Sequence, residues 1–428
     1  MLFCRRRPYA RIAVAAWLVI SALALASCSG IRIPGTASPP QVVVPPPVLA
    51  PAGPPPNGVP PIDTNIPPGG PLPDTTLTPP PEANATGKVT VAMLLPLSGP
   101  NGALGQAMLN AAQMALYDLA DERLELLTRD TKGTADGASS AAQDALGQGA
   151  QLIIGPLLAA EVAAVKPIAQ SAHVPVIAFS TATQLAGSGT YLMGFLPGEE
   201  IARVTSYAHA QGHNRFAALL PSTAYGQVIG DAVKNAVAAN GATLSREEFY
   251  DPSVNGMAGA VKHFASEGVD YDALFLAEGG DRLKVLVPQL PYFKIDPDQV
   301  KFLGTGLWDD PSIGTEPAID GGWYAASAPD ARTAFEQRFA QLYHSKPPRL
   351  ATLGYDSMAL AAVLARGPLG ADFSDTAITN PNGFSGLDGI FRFRTDGLVQ
   401  RGLAILQVQH GGNTIIDPAP QSFENLGF

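Results

Sequence analysis

Apolar residues in this chain arrive in two alternating rhythms. Val89–Leu95 (VTVAMLL) is apolar but for Thr90, the pattern of a strand buried on both faces of a parallel sheet. Pro96, Gly99, Pro100 and Gly102 then punctuate a turn. After it Leu104, Met108, Ala111, Ala112, Ala115 and Leu119 recur at the spacing of an amphipathic helix. The same alternation predicts a strand at 123–129, a helix at 135–148, a buried strand at 151–154 ended by Gly155-Pro156, a helix at 159–172 and a strand at 174–179. A second series opens near Glu199, with helices at 200–211, 227–240, 257–267 and 281–290 between strands at 215–220, 243–250, 273–277 and 301–304. Near Pro329 the chain turns back through helices at 331–343 and 350–366. The alternating segments 389–393 and 404–408, joined through Asp396-Gly397, predict a β-hairpin. Repeated strand–helix alternation predicts an α/β fold of mostly parallel, doubly wound sheets, which bind ligands at the carboxyl ends of their strands.

The first 87 residues follow neither rhythm. Arg5, Arg6, Arg7 and Arg11 precede an apolar segment at 12–25, too short for a comfortable membrane span but suited to a signal-peptide core. It ends in Leu25-Ala26-Ser27-Cys28, which resembles the lipobox of bacterial lipoproteins and implies lipidation of Cys28. Between Pro34 and Thr86, 19 of 53 residues are proline, so this segment is expected to be extended or disordered and to act as a spacer. Fully extended it would reach roughly 160 Å.

Composition narrows the chemistry. The 428 residues are 46% hydrophobic and only 15% charged, which argues for large buried cores. A net charge of −10 argues against a nucleic-acid partner. The two cysteines, Cys4 and Cys28, both precede the body, which therefore has no disulfide, thiolate metal site or cysteine nucleophile. HExxH, GxSxG and GxxxxGK(S/T) motifs are absent, and the six histidines are scattered, so the chain reads as a non-enzyme without metal or cofactor.

The order of VAMLLPLSGPNGALGQAMLNAAQMAL, LIIGP, PIAQSAHVPVIAFSTAT, AYGQ and GLDGIFRFRTDG resembles the type 1 periplasmic-binding fold of the leucine/isoleucine/valine-binding family, over about 88–417. That resemblance implies two lobes built from discontinuous segments: 88–198 with 328–372, and 199–327 with 373–417. They would follow a signal peptide at 1–27 and a lipidated linker at 28–87, and a tail at 418–428 would close the chain. Ligand would lie in the cleft between the lobes. Ser98, Ser180, Thr181 and Thr183 sit on first-lobe loops, as ligand contacts or as helix caps. Thr183 matches best the position that holds a ligand carboxylate in amino-acid-binding relatives. Tyr225 matches a tyrosine that covers ligand, or is a structural aromatic; Glu278 would hold an ammonium group or face solvent. Trp308 and Asp309 fall where relatives place second-lobe contacts.

One departure separates this chain from amino-acid binders, which carry a hydroxyl residue shortly after the GP of IIGP. Here the run is Gly155-Pro156-Leu157-Leu158-Ala159-Ala160. With the lipobox and tether, it is more similar to the penicillin-binding protein activator lipoproteins, which use this fold to bind a peptidoglycan synthase. The expected partner is therefore a synthase, with a small amino-acid-like ligand delivered to an ABC permease as the alternative. Ser29, following Cys28, is not the aspartate that retains lipoproteins in many inner membranes, which implies an outer-membrane anchor facing the periplasm.

Overall fold

Every residue of β1 (Val89–Leu95) is buried, and its two faces serve different cores. Val91, Met93 and Leu95 enter one cluster, whereas Ala92 and Leu94 enter another on the opposite side of the sheet. This is the period-two partition of a strand between two helical layers. The computed structural model describes residues 87–119, 122–310, 312–366 and 370–424. The signal segment, Cys28 and the proline-rich linker lie outside the described residues.

Around β1 the first lobe follows in chain order. Helix α1 (Gly102–Leu119) leads to β2 (Leu124–Asp130), α2 (Ala135–Gly147), β3 (Leu152–Ile154), α3 (Ala159–Ser171), β4 (Val176–Ala178) and β5 (Thr190–Leu192). Their strands form a five-stranded parallel sheet in the order β2-β1-β3-β4-β5. The second lobe begins with α4 (Pro197–Ala210), β6 (Arg215–Pro221), α5 (Ala224–Ala239), β7 (Thr243–Tyr250) and α6 (Val254–Ser266). It continues through β8 (Ala273–Leu276), α7 (Gly280–Leu286), α8 (Gln289–Tyr292), β9 (Lys301–Gly304) and β10 (Trp323–Ala326). Helix starts carry side-chain caps where hydroxyls precede them: Thr134, Thr223 and Ser253 each accept a backbone N–H from the first turn of α2, α5 and α6.

The chain then returns to the first lobe. Helices α9 (Pro329–Tyr343) and α10 (Ala351–Ala365) pack beside α1, and Gly354 permits the close crossing: a Cβ there would lie 2.3 Å from the carbonyl oxygen of Met108. A short helix α11 (Asp375–Ile378) precedes β11 (Phe384–Gly386), β12 (Gly389–Phe393) and β13 (Val399–Arg401), which form a small antiparallel sheet. Finally β14 (Ala404–Gln409) and β15 (Gly412–Asp417) complete a seven-stranded sheet, ordered β15-β14-β10-β9-β8-β6-β7.

Three expectations are corrected here. The hairpin read across 389–408 does not form: β12 pairs with β13, whereas β14 pairs with β10 and β15 in the other lobe. The lobe boundary at 373 also moves, because Ile378, Phe391, Phe393 and Val399 bury their side chains in the first-lobe core. Only from Leu403 onward do side chains join the second-lobe cores. The segment read as a tail packs back too: Phe423 is buried and takes the Arg392 guanidinium over its ring at 4.5 Å.

The chain thus passes between lobes at three places: Met193 to Leu196, Ser327 to Ala328, and Gly402 to Leu403. Among the described residues no helix is long and apolar enough to cross a membrane.

Candidate functional site

The three crossings converge on a cavity of about 310 Å³. Phe195, Leu196 and Pro197 come from the first crossing, Ala326 and Ser327 from the second, and Val399, Arg401 and Leu403 from the third. Leu350, Leu307 and Tyr225 complete a largely apolar lining. Toward solvent, Phe195, Pro197, Tyr225 and Leu350 are shared with a wider recess of about 640 Å³. First-lobe loops (Leu157–Ala159 and 179–184) and the start of α5 (Ala224, Tyr225, Val228) face one another across it.

Charge is concentrated in and around the hinge cavity. Arg349 lies 4.1 Å above the Phe195 ring and donates to Asp388 at 2.7 Å, and its Nε is 3.7 Å from Asp309. Arg332 also clasps Asp309. Burial works against the ionised form of Asp388, but the guanidinium groups of Arg349 and Arg401 outweigh it and hold the carboxyl below its ordinary value. Asp356 is pushed the other way, by burial first and by the charge of Asp388 second. Burial pushes Glu200 up to about 7 although Oε2 accepts the Gly306 N–H at 2.7 Å. Arg401 is 7% exposed, and its Nη2 donates to the carbonyl of Met193 at 2.8 Å. Its Nε and Nη1 have no hydrogen-bond acceptor among the described residues.

The residues singled out from sequence divide into three groups. Tyr225 and Asp309 line the hinge cavity; the Tyr225 hydroxyl donates to Thr305 Oγ1 at 2.9 Å. Ser180, Thr181 and Thr183 line the outer recess, where Ser180 is buried and its oxygen accepts the Ala182 N–H at 3.1 Å. Ser98, Glu278 and Trp308 line neither space. Ser98 turns to Asp130, donating at 2.7 Å, and Glu278 accepts from the Tyr250 hydroxyl at 2.9 Å inside the second lobe. Trp308 is fully buried, donating its indole N–H to the Glu278 carbonyl at 3.0 Å. A short turn at Gly306–Trp308 folds its ring back over Gly304, where a Cβ would lie 2.0 Å from the ring.

Arg401, Arg349, Glu200 and Phe195 were missed from sequence. The available signal was a charge set among apolar residues, as in Leu398-Val399-Gln400-Arg401-Gly402-Leu403 and in the Asp356 of α10. In a chain of low charge content such residues need buried partners. No group of His, Cys, Asp and Glu able to hold a metal occurs among the described residues.

The family profile described as Periplasmic binding protein matches residues 88–413. An uncharacterized protein of Rickettsia prowazekii (strain Madrid E) is 24% identical over 221 residues, covering 51% of this chain and 56% of that protein, little over half its length. Among solved structures, an ABC transporter substrate-binding protein from Sphaerobacter thermophilus aligns with a TM-score of 0.65 and 21% identity, over 80% of this chain and 100% of its own. A leucine-binding protein from Thermotoga maritima MSB8 aligns with a TM-score of 0.54 and 20% identity, over 76% of this chain and 97% of its own. At these identities the structural likeness speaks to the fold.

Proposed function

We propose that this chain, which belongs to the periplasmic binding protein family, is a non-catalytic lipoprotein of the cell envelope that activates a peptidoglycan synthase, a penicillin-binding protein, through protein contact. The first-lobe wall of the cleft carries the reading. Where amino-acid binders of this fold place a hydroxyl, Leu157 and Leu158 face the recess, and Ser98 is turned away onto Asp130. A buried amino-acid carboxylate would lose a hydrogen-bond donor there, a loss that costs about 1–3 kcal/mol. The sequence supports the partner: a lipobox at Cys28 and a spacer long enough to reach across the envelope.

In-cell crosslinking of the full chain, with identification of what it captures, tests this directly. Capture of a penicillin-binding protein is expected. A companion strain lacking residues 40–80 should become as sensitive to β-lactams as a strain without the protein. Capture of a permease, with wild-type resistance in the deletion strain, would overturn the reading. That outcome would favour a second one, the lipid-anchored binding component of an amino-acid ABC transporter. The specific observation behind this alternative is a hinge cavity of about 310 Å³, within the size range of small-molecule sites.

A further inference from the structure

We propose that Asp309 is a latch across the lobe boundary: clasped by Arg332 and Arg349, it holds the two lobes at one fixed angle. This goes beyond the partner reading and does not depend on it. The ion pairs around Asp309 alternate in sign, in the order Lys346, Glu336, Arg332, Asp309, Arg349 and Asp388. Five of these six side chains belong to the first lobe, on α9, on the loop before α10 and on the turn after β11. Asp309 alone comes from the second lobe, in the segment after β9.

Both halves of the clasp are stiffly mounted. Trp308, the residue before Asp309, is fully buried in the second-lobe core and anchored to the Glu278 carbonyl. Arg332 rides on α9, whose Phe335 and Phe339 are buried with Met114 and Ala351 of the first lobe. Arg349 is fixed by the fully buried Asp388, to which Nη2 donates at 2.7 Å and Nη1 at 3.3 Å. Arg332 grips Asp309 with two prongs, Nη2 donating to Oδ1 at 3.1 Å and Nη1 to Oδ2. Such a grip constrains direction as well as distance.

Parting the lobes is uphill at this point. The side chains of Arg332 and Asp309 are only 11% and 12% exposed. Withdrawing Asp309 leaves Lys346, Arg332 and Arg349 to share Glu336 and Asp388, with largely desolvated charge unmatched on both sides. A further pair across the boundary, Glu199 with Arg394 at 3.0 Å, is more exposed and contributes less. The clasp also stands between two spaces. Asp309 and Arg349 line the hinge cavity on one side and, with Arg332, a groove of about 330 Å³ on the other, walled by α9 and the β14–β15 hairpin. Relative movement of the lobes therefore passes through this carboxylate. With it in place, a partner meets both lobes as one rigid surface.

The test is pulsed electron–electron resonance on the full chain carrying Cys4→Ser and Cys28→Ser. Spin labels go on Gln184→Cys and Val228→Cys, exposed positions that face each other across the outer recess. With the latch intact, one narrow distance distribution is expected. Asp309→Asn, which keeps the size of the side chain but not its charge, should broaden the distribution and add a longer-distance component. Arg332→Gln removes the two-pronged grip from the other side and should broaden it too, an independent arm if Asp309→Asn lacks a native circular dichroism spectrum. Glu336→Gln breaks a pair lying wholly in the first lobe and should leave the distribution narrow. A broad distribution with the latch intact would overturn the proposal, as would a narrow one in folded Asp309→Asn or Arg332→Gln protein. Broadening as large in Glu336→Gln as in Asp309→Asn would overturn it as well, because charge in the groove would then set the angle instead of the contact across the lobes.

Discussion

Glu200 shows how a single buried carboxyl makes the fold depend on pH. Burial raises it from 4.5 to about 7, with the Gly306 N–H and the Arg349 charge opposing. Both folded and unfolded chains hold this proton below 4.5; between 4.5 and 7 the unfolded chain releases it first. Stability from this group is therefore fullest at low pH, falls as pH rises across that window, and is flat above it. Glu200→Gln should remove the fall, making the variant more stable than wild type at pH 8 by about 1–3 kcal/mol and nearly equal at pH 4. Urea midpoints at the two pH values check this, and a difference independent of pH would contradict it. Tyr225 and Asp309 were legible through the family resemblance, Tyr225 opening the helix after β6 and Asp309 following β9. Arg349 and Arg401 were not, because their importance arises only where residues 195, 349 and 401 meet, and hydrophobic periodicity carries no information about such long-range meetings.

Among the elements, those with long apolar rhythms were read from sequence within a residue or two, including β1, α1 and α10. Some strands of three or four residues were not: β5, β10 and β13 are too short to establish alternation, whereas β3, β4, β8 and β9, equally short, were read. The false hairpin has a related cause. Alternation fixes which side chains share a face, but β12 and β14 alternate alike, and only packing decides that they belong to different sheets. The α1–α10 crossing is a sharper case, since it depends on one absent side chain. Gly354→Leu should push the helices apart and destabilise by about 1–3 kcal/mol, whereas Leu in place of the exposed Val363, farther along the same helix, should change stability by less than about 0.5 kcal/mol. Thermal melting of the two variants measures the contrast.

The molecule as a whole has two sets of cores, one on each side of the hinge. Heating should therefore give a calorimetric enthalpy larger than the van't Hoff value, the mark of more than one cooperative unit. Trp308→Ala, which empties a fully buried site in the second lobe, should cost about 3–5 kcal/mol and lower that lobe's transition much more than the other. A single transition shifted as a whole would show instead that the crossings couple the lobes tightly. The three crossings also impose an order on synthesis. Because Phe391, Phe393 and Val399 belong to a core begun by Val89 and Val91, the first lobe has all its parts only after some 310 further residues have been made. β14 and β15, which finish the second sheet, are made later still. A nascent chain released from the ribosome at residue 370 therefore holds two unfinished cores rather than one finished lobe, and its exposed apolar strands fall to chaperones or proteases.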